Sequence, residues 1–228
     1  MAKHITKIAL LTGSIALLAG CSQLLSGQNG ESAAPQKMQQ TAAASSANKV
    51  VDLSALEKQA AGLATFTYST DGANYVAYSG AQTELIKAQT KQGESQFFYK
   101  NGKLIAAATG AGSFQFNSAG KVVAASDKIA DDKAKALVAQ GNKLAKMLSY
   151  SAADKRTLNG DANAKLNYLC VTKIRQVAQT DRVFRSSPNQ ANSANQLTAE
   201  MRLNGNQFYK MDCQLEGDRV VKLSLMKK

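Results

Sequence analysis

The chain has 228 residues, with 28 lysines and arginines against 16 aspartates and glutamates, a formal net charge of +12 and no tryptophan. Its one histidine, His4, lies in the opening segment, so the rest of the chain offers no imidazole for a Ser-His-Asp or Cys-His site or for His-ligated zinc or iron. An enzyme would have to work with carboxylates, lysine or tyrosine. The basic excess favours anionic surfaces through non-specific electrostatics and says nothing about fold.

Lys3, His4 and Lys7 form a short positive region ahead of an apolar run from Ile8 to Gly20. That run, interrupted by Thr12, Gly13 and Ser14, is shorter than the roughly 20 residues a membrane-spanning helix needs. A charged start, an apolar centre and small residues at a cut site make the pattern of a secretory signal. The run closes on Leu18-Ala19-Gly20-Cys21, which resembles the lipobox of bacterial lipoproteins. The resemblance implies a signal peptide over 1–20, cleavage before Cys21, lipid on its thiol, and acylation of the new amino terminus. It also implies enough acyl chains for firm anchoring, since one chain alone binds marginally. Ser22, not aspartate, follows the cysteine; by resemblance to the sorting of enterobacterial lipoproteins this favours the outer membrane, with the protein facing the periplasm or the cell surface. Loss of Lys3 and Lys7 with the signal leaves 26 basic side chains against 16 acidic, or +10. The expected partners are the membrane, through the anchor, and an anionic envelope component or an acidic protein. Lipopolysaccharide, phospholipid headgroups and peptidoglycan carboxylates are the envelope anions at hand. Nucleic acid is not an expected partner for an exported chain.

Residues 21–50 carry the lipidated cysteine and a stretch rich in Gln, Ser, Ala and Gly, with only Glu31, Lys37 and Lys49 charged. This composition predicts a flexible tether with a reach of roughly 30 Å. The folded region is expected over 51–228, as one unit or as two subdomains of about 51–150 and 151–228. Leu53, Leu56, Ala60 and Leu63 at helical spacing predict a short amphipathic helix between Asp52 and Leu63.

From Ala64 to Ala125 the pattern changes to strands and turns. Phe66 and Tyr68 alternate before Asp71-Gly72, and Tyr75 to Tyr78 follows it. Asn101-Gly102 separates Gln96–Lys100 from Lys103–Ala108, a strong hairpin signal because both turn residues tolerate positive φ. Phe114 and Phe116 alternate ahead of Ala119-Gly120 and Lys121–Ala124. The expectation is an antiparallel meander of six or seven strands. The phrases FFYKNGKLIAA and FQFNSAGKVVAA, about 17 residues apart, look like degenerate copies of one hairpin.

Asp127 to Tyr150 reads as the main helix. Ala130, Ala134, Leu137, Val138, Gly141, Leu144, Ala145 and Leu148 form one stripe, Ser126 or Asp127 can cap it, and acids and lysines sit at the expected ends. Gly141 makes a kink there plausible. The stripe is small and Ala-rich, which suits packing on a sheet better than lying on a membrane.

The C-terminal quarter reads as a second antiparallel sheet, with strands over Tyr168–Val177, Gln196–Leu203, Asn206–Leu215 and Arg219–Met226. The fold class is thus α+β. Splitting these strands by parity puts Cys170, Ile174, Met201, Leu203, Tyr209, Met211, Cys213, Leu215, Val221, Leu223 and Leu225 on a core face. Cys170 and Cys213, the pair left once Cys21 is lipidated, read as a disulfide in an oxidising compartment. Such a bond would restrict the unfolded chain by roughly 3–4 kcal/mol in the loop-entropy picture. Two reduced core thiols are the alternative; no Cys-x-x-Cys spacing suggests a redox pair.

The opposite parity collects Lys173, Arg175, Arg202, Lys210 and Lys222 against Glu200 and Asp212. Five basic groups against two acidic make a candidate anion-binding face, although a solvated outer face of an antiparallel sheet is the ordinary reading. The polar segment from Ser186 to Asn195 reads as a loop and a second contact site.

Other motifs fail on context. Ser46-Ala47-Asn48-Lys49 lies in the tether and Ser118-Ala119-Gly120-Lys121 crosses a turn, whereas Ser-x-x-Lys chemistry needs a helix start. Gly110-Ala111-Gly112 lacks the third glycine and following helix of a dinucleotide loop. No cofactor or metal is expected. The expected function is non-enzymatic binding at the envelope through the basic face. The alternatives are a carboxylate-dependent enzyme on cell-wall material, using Asp212 and Glu200, or a periplasmic inhibitor protein such as one directed at host lysozyme, against which the basic charge argues.

Overall fold

The computed structural model describes residues 52–150, 161–187 and 190–228; the expected signal peptide, Cys21 and the tether lie outside the described residues. Asp52 caps α1 (Leu53–Ala60) by accepting from the Ser54 and Ala55 amides, and hydrogen bonding to Ser54 holds its carboxyl below the usual range. The meander then follows as seven strands, β1 (Ala64–Thr70), β2 (Ala73–Ser79), β3 (Thr83–Thr90), β4 (Gly93–Lys100), β5 (Lys103–Thr109), β6 (Gly112–Phe116) and β7 (Val122–Ala125). Asn101 and Gly102 both take positive φ, 52° and 72°, as the tight turn between β4 and β5 requires.

The main helix, α2, runs over Asp131–Leu148. It starts later than the Ser126 or Asp127 cap predicts, because those two side chains are engaged elsewhere. The Ser126 hydroxyl accepts from the Ser113 amide and donates to Asp127, tying the end of β7 back to β6. Ala130 stands at the N-cap without a side-chain bond. Gly141 lies against the sheet: a Cβ there would come within 2.9 Å of Leu104 and 3.0 Å of Phe97, so the helix can approach this closely only without a side chain.

The largest departure from expectation is Tyr168–Val177, which is helical and belongs to α3 (Ala162–Ala178). Its β-branched residues Val171, Thr172, Ile174 and Val177 favour a strand by propensity, but the buried positions Leu166, Leu169, Cys170, Lys173, Ile174 and Val177 repeat with helical spacing. Asp161 caps the start by accepting from the Ala164 amide, and Gln179 closes the end in the left-handed region.

Five strands complete the chain: β8 (Val183–Arg185), β9 (Gln190–Ser193), β10 (Gln196–Leu203), β11 (Gln207–Glu216) and β12 (Arg219–Lys227). The stretch expected as a polar loop after Ser186 therefore includes a short strand, β9, paired with β10. A register shift at Gln214/Leu215 sets Val220 opposite Leu215, so Val220, not Val221, enters the core.

All the strands share one sheet in the order β7-β6-β5-β4-β3-β2-β1-β12-β11-β10-β8, with β9 beside β10. The join is β1 against β12, the one parallel pairing among the described residues, with Thr67 opposite Lys222 and Thr70 opposite Leu225. The two β regions are thus halves of a single α+β fold. Helices α2 and α3 cover one face, burying Phe66, Phe97, Phe114, Leu144, Leu166, Leu169, Ile174, Met211 and Leu223 in one core. On the other face α1 makes a smaller cluster, with Ala60 over Leu85, Phe98 and Ala106. No other described helix covers that face, which leaves β1 and β10–β12 open on it. No described helix is long and apolar enough to cross a membrane.

Candidate functional site

Antiparallel pairing puts directly opposed residues on the same side of the sheet. On the open side, Arg202 of β10 is opposite Phe208 of β11 and Phe184 of β8. One step along, Glu200 is opposite Lys210, which in turn is opposite Met226 of β12. Two rows further on, Lys222 lies between Gln214 and Thr67. Arg202, Lys210 and Lys222 are all exposed, and the Arg202 guanidinium sits 5.5 Å from the centre of the Phe184 ring.

Two of the five predicted basic residues are elsewhere. Because 168–177 is helical, Lys173 and Arg175 are on α3 and not on the outer sheet face. Lys173 is buried to 2% exposure, with its ammonium 4.2 Å from the centre of the Phe66 ring. It donates to the Ser149 carbonyl at 3.3 Å and to Gln176 at 3.0 Å. Gln176 donates to the carbonyls of Lys146 and Ser149. Together they satisfy carbonyls at the end of α2, where the helix dipole also favours a cation. Lys173 is therefore a structural group. Arg175, exposed in the last turn of α3, favours that helix's own C-terminal end.

The open face then carries three predicted basic groups against two acidic ones, and both acids are engaged. Glu200 is ion-paired with Lys228, and Asp212 accepts from Gln196 at 3.0 Å. Lys210 and Lys222 are in no ion pair among the described residues. Glu200 and Asp212 occupy diagonal positions on adjacent strands of an open surface, not a cleft. No group of three or more metal-ligating side chains occurs among the described residues.

Cys170 and Cys213 are joined as a disulfide, Cα to Cα 6.0 Å. The expected pairing is present, but it staples helix α3 to strand β11 across the core instead of linking two strands. Two residues that the parity argument overlooked, Phe208 and Met226, stand out on the open face as exposed apolar side chains; the signal available was that each falls on the polar parity of its strand. Two of the cavities away from this face flank α1 and α2. One, of about 450 Å³, lies between α1 and the sheet near Leu56, Phe98 and Ile105. The other, of about 840 Å³, adjoins the connection from β7 to α2, with Lys121, Asp127, Lys128 and Asp131 on its walls.

The chain is 42% identical to an uncharacterized protein of Pasteurella multocida (strain Pm70), over an alignment that takes in the whole of both chains. No family model and no solved structure matches it.

Proposed function

The chain belongs to the same family as that Pasteurella multocida protein, and we propose that it is a lipid-anchored, non-enzymatic envelope protein, held at the outer membrane through Cys21 and binding an anionic envelope component by the open face of its C-terminal strands. The observation that carries the binding half is the exposure of Arg202, Lys210 and Lys222 on a sheet face where the neighbouring acids are engaged by Lys228 and Gln196. Cations arranged this way attract polyanions at a distance and hold them by screened, salt-sensitive contacts. The anchoring half is supported by Leu18-Ala19-Gly20-Cys21 behind a short apolar run, and the Cys170–Cys213 disulfide suits an oxidising compartment.

Each half has its own test. Cells fed labelled palmitate should label the wild-type chain and leave a Cys21→Ala variant unlabelled; label on the variant would remove the anchor. In pull-downs from envelope fractions, the variant Arg202→Glu/Lys210→Glu/Lys222→Glu should recover less anionic material than wild type. Equal recovery would remove the binding face.

A further inference from the structure

Among the described residues, four large apolar side chains stand well exposed, and three share one corner of the open face: Phe184 at 52%, Phe208 at 42% and Met226 at 37%. Phe184 and Phe208 flank Arg202 across two strand spacings, about 10 Å apart. Met226 and Lys210 sit opposite each other in the adjoining row. Exposed Arg182 borders the corner; of the acids beside it, Glu200 is ion-paired with Lys228 and Asp71 accepts from the Lys227 amide at 2.7 Å. Rings and cations are thus interleaved on one small surface.

We propose that this corner docks on the surface of a bilayer containing anionic phospholipid, with Phe184, Phe208 and Met226 entering the headgroup–acyl boundary and Arg202 and Lys210 meeting the phosphates. The proposal deepens the envelope-binding reading and rests on it for the nearness of a membrane. Size favours lipid over protein. The exposed parts of two phenyl rings and one thioether amount to roughly 250 Å², short of the roughly 450 Å² of apolar surface that each partner contributes to a stable protein interface. An interfacial contact needs no such area, because apolar insertion and attraction to anionic headgroups add. A tether at Cys21 would supply the high local concentration under which a weak contact suffices. The Arg202–Phe184 stacking keeps the guanidinium at the ring's level, where headgroup phosphates lie.

The absence of tryptophan from the chain allows a direct test. In the full chain carrying Cys21→Ser, Phe184→Trp or Phe208→Trp gives a single reporter at the corner. Vesicles of phosphatidylcholine with phosphatidylglycerol should shift its emission to the blue, and brominated acyl chains should quench it, whereas pure phosphatidylcholine should do neither. Emission unchanged by the anionic vesicles would overturn the proposal. So would a blue shift seen only with extracted envelope proteins, which would mark a protein partner. In the same background Phe184→Ser/Phe208→Ser should lower partitioning onto anionic vesicles about tenfold; equal partitioning would overturn the proposal independently. Loss of envelope pull-down on reversing Arg202, Lys210 and Lys222, with reporters that stay in water, would leave the basic face standing and remove the lipid contact. Failure of both would remove the two together.

Discussion

Tyr99 on β4 donates its hydroxyl to the Gly141 carbonyl of α2 at 2.7 Å, at the point where the missing side chain lets helix and sheet come closest. Burial pushes its phenol above the usual range, and burial does the same for the stacked pair Tyr68 and Tyr75. The folded chain thus holds these protons more tightly than the unfolded chain does. The stability they contribute is complete below about pH 10 and is lost as the pH rises beyond it. Denaturant melts at stepped alkaline pH should show that decline, and Tyr99→Phe should reduce its slope while costing about 1 kcal/mol at neutral pH. A slope unaltered by the substitution would mean Tyr99 does not hold its proton as described. None of this was visible in the sequence: Gly141 looked like a weak point of a helix stripe, and only the approach of Phe97 and Leu104 shows why glycine is needed there.

At the scale of elements, α2 and α3 support each other. Gln176 donates to the Lys146 and Ser149 carbonyls at the end of α2, and Lys173 adds a buried ammonium to the Ser149 carbonyl. Gln176→Ala should therefore destabilise the fold by about 1–2 kcal/mol and speed amide exchange in the last turn of α2; unchanged exchange there would refute the capping role. The Cys170–Cys213 bond fixes α3 to β11. Replacing both cysteines by alanine should cost up to about 4 kcal/mol in a urea melt, and a loss under about 1 kcal/mol would show that packing alone holds the helix. The pairing was legible from the cysteine count, whereas the element carrying Cys170 was not. Lys173 interrupted the apolar stripe of α3 while β-branched neighbours imitated a strand, so parity was applied where the helical period governs. The β4–β5 hairpin was legible because Asn101-Gly102 adopts the positive φ those letters favour. The hairpin signals reach no further than neighbouring strands, and the parallel join of β1 to β12 links residues 155 positions apart, such as Thr67 and Lys222.

For the molecule as a whole, the decisive feature is the asymmetry of the sheet: helices α2 and α3 on one face, α1 over part of the other, and the strands around β11 open. Three of the five predicted basic residues, Arg202, Lys210 and Lys222, occupy that open face, and their strands were read correctly. The two misplaced ones, Lys173 and Arg175, fell with the misreading of 168–177 as a strand. A chain with a net charge of +12 attracts polyanions in any case, so the account requires that this face, and not total charge, governs binding. The direct measurement compares two triple variants of equal net charge for salt-dependent association with washed envelope fragments. One is Arg202→Glu/Lys210→Glu/Lys222→Glu on the open face. The other is Lys133→Glu/Lys135→Glu/Lys143→Glu on the exposed side of α2. The account predicts that the first loses most of its association and its salt dependence while the second stays near wild type. Equal losses in the two variants would contradict it.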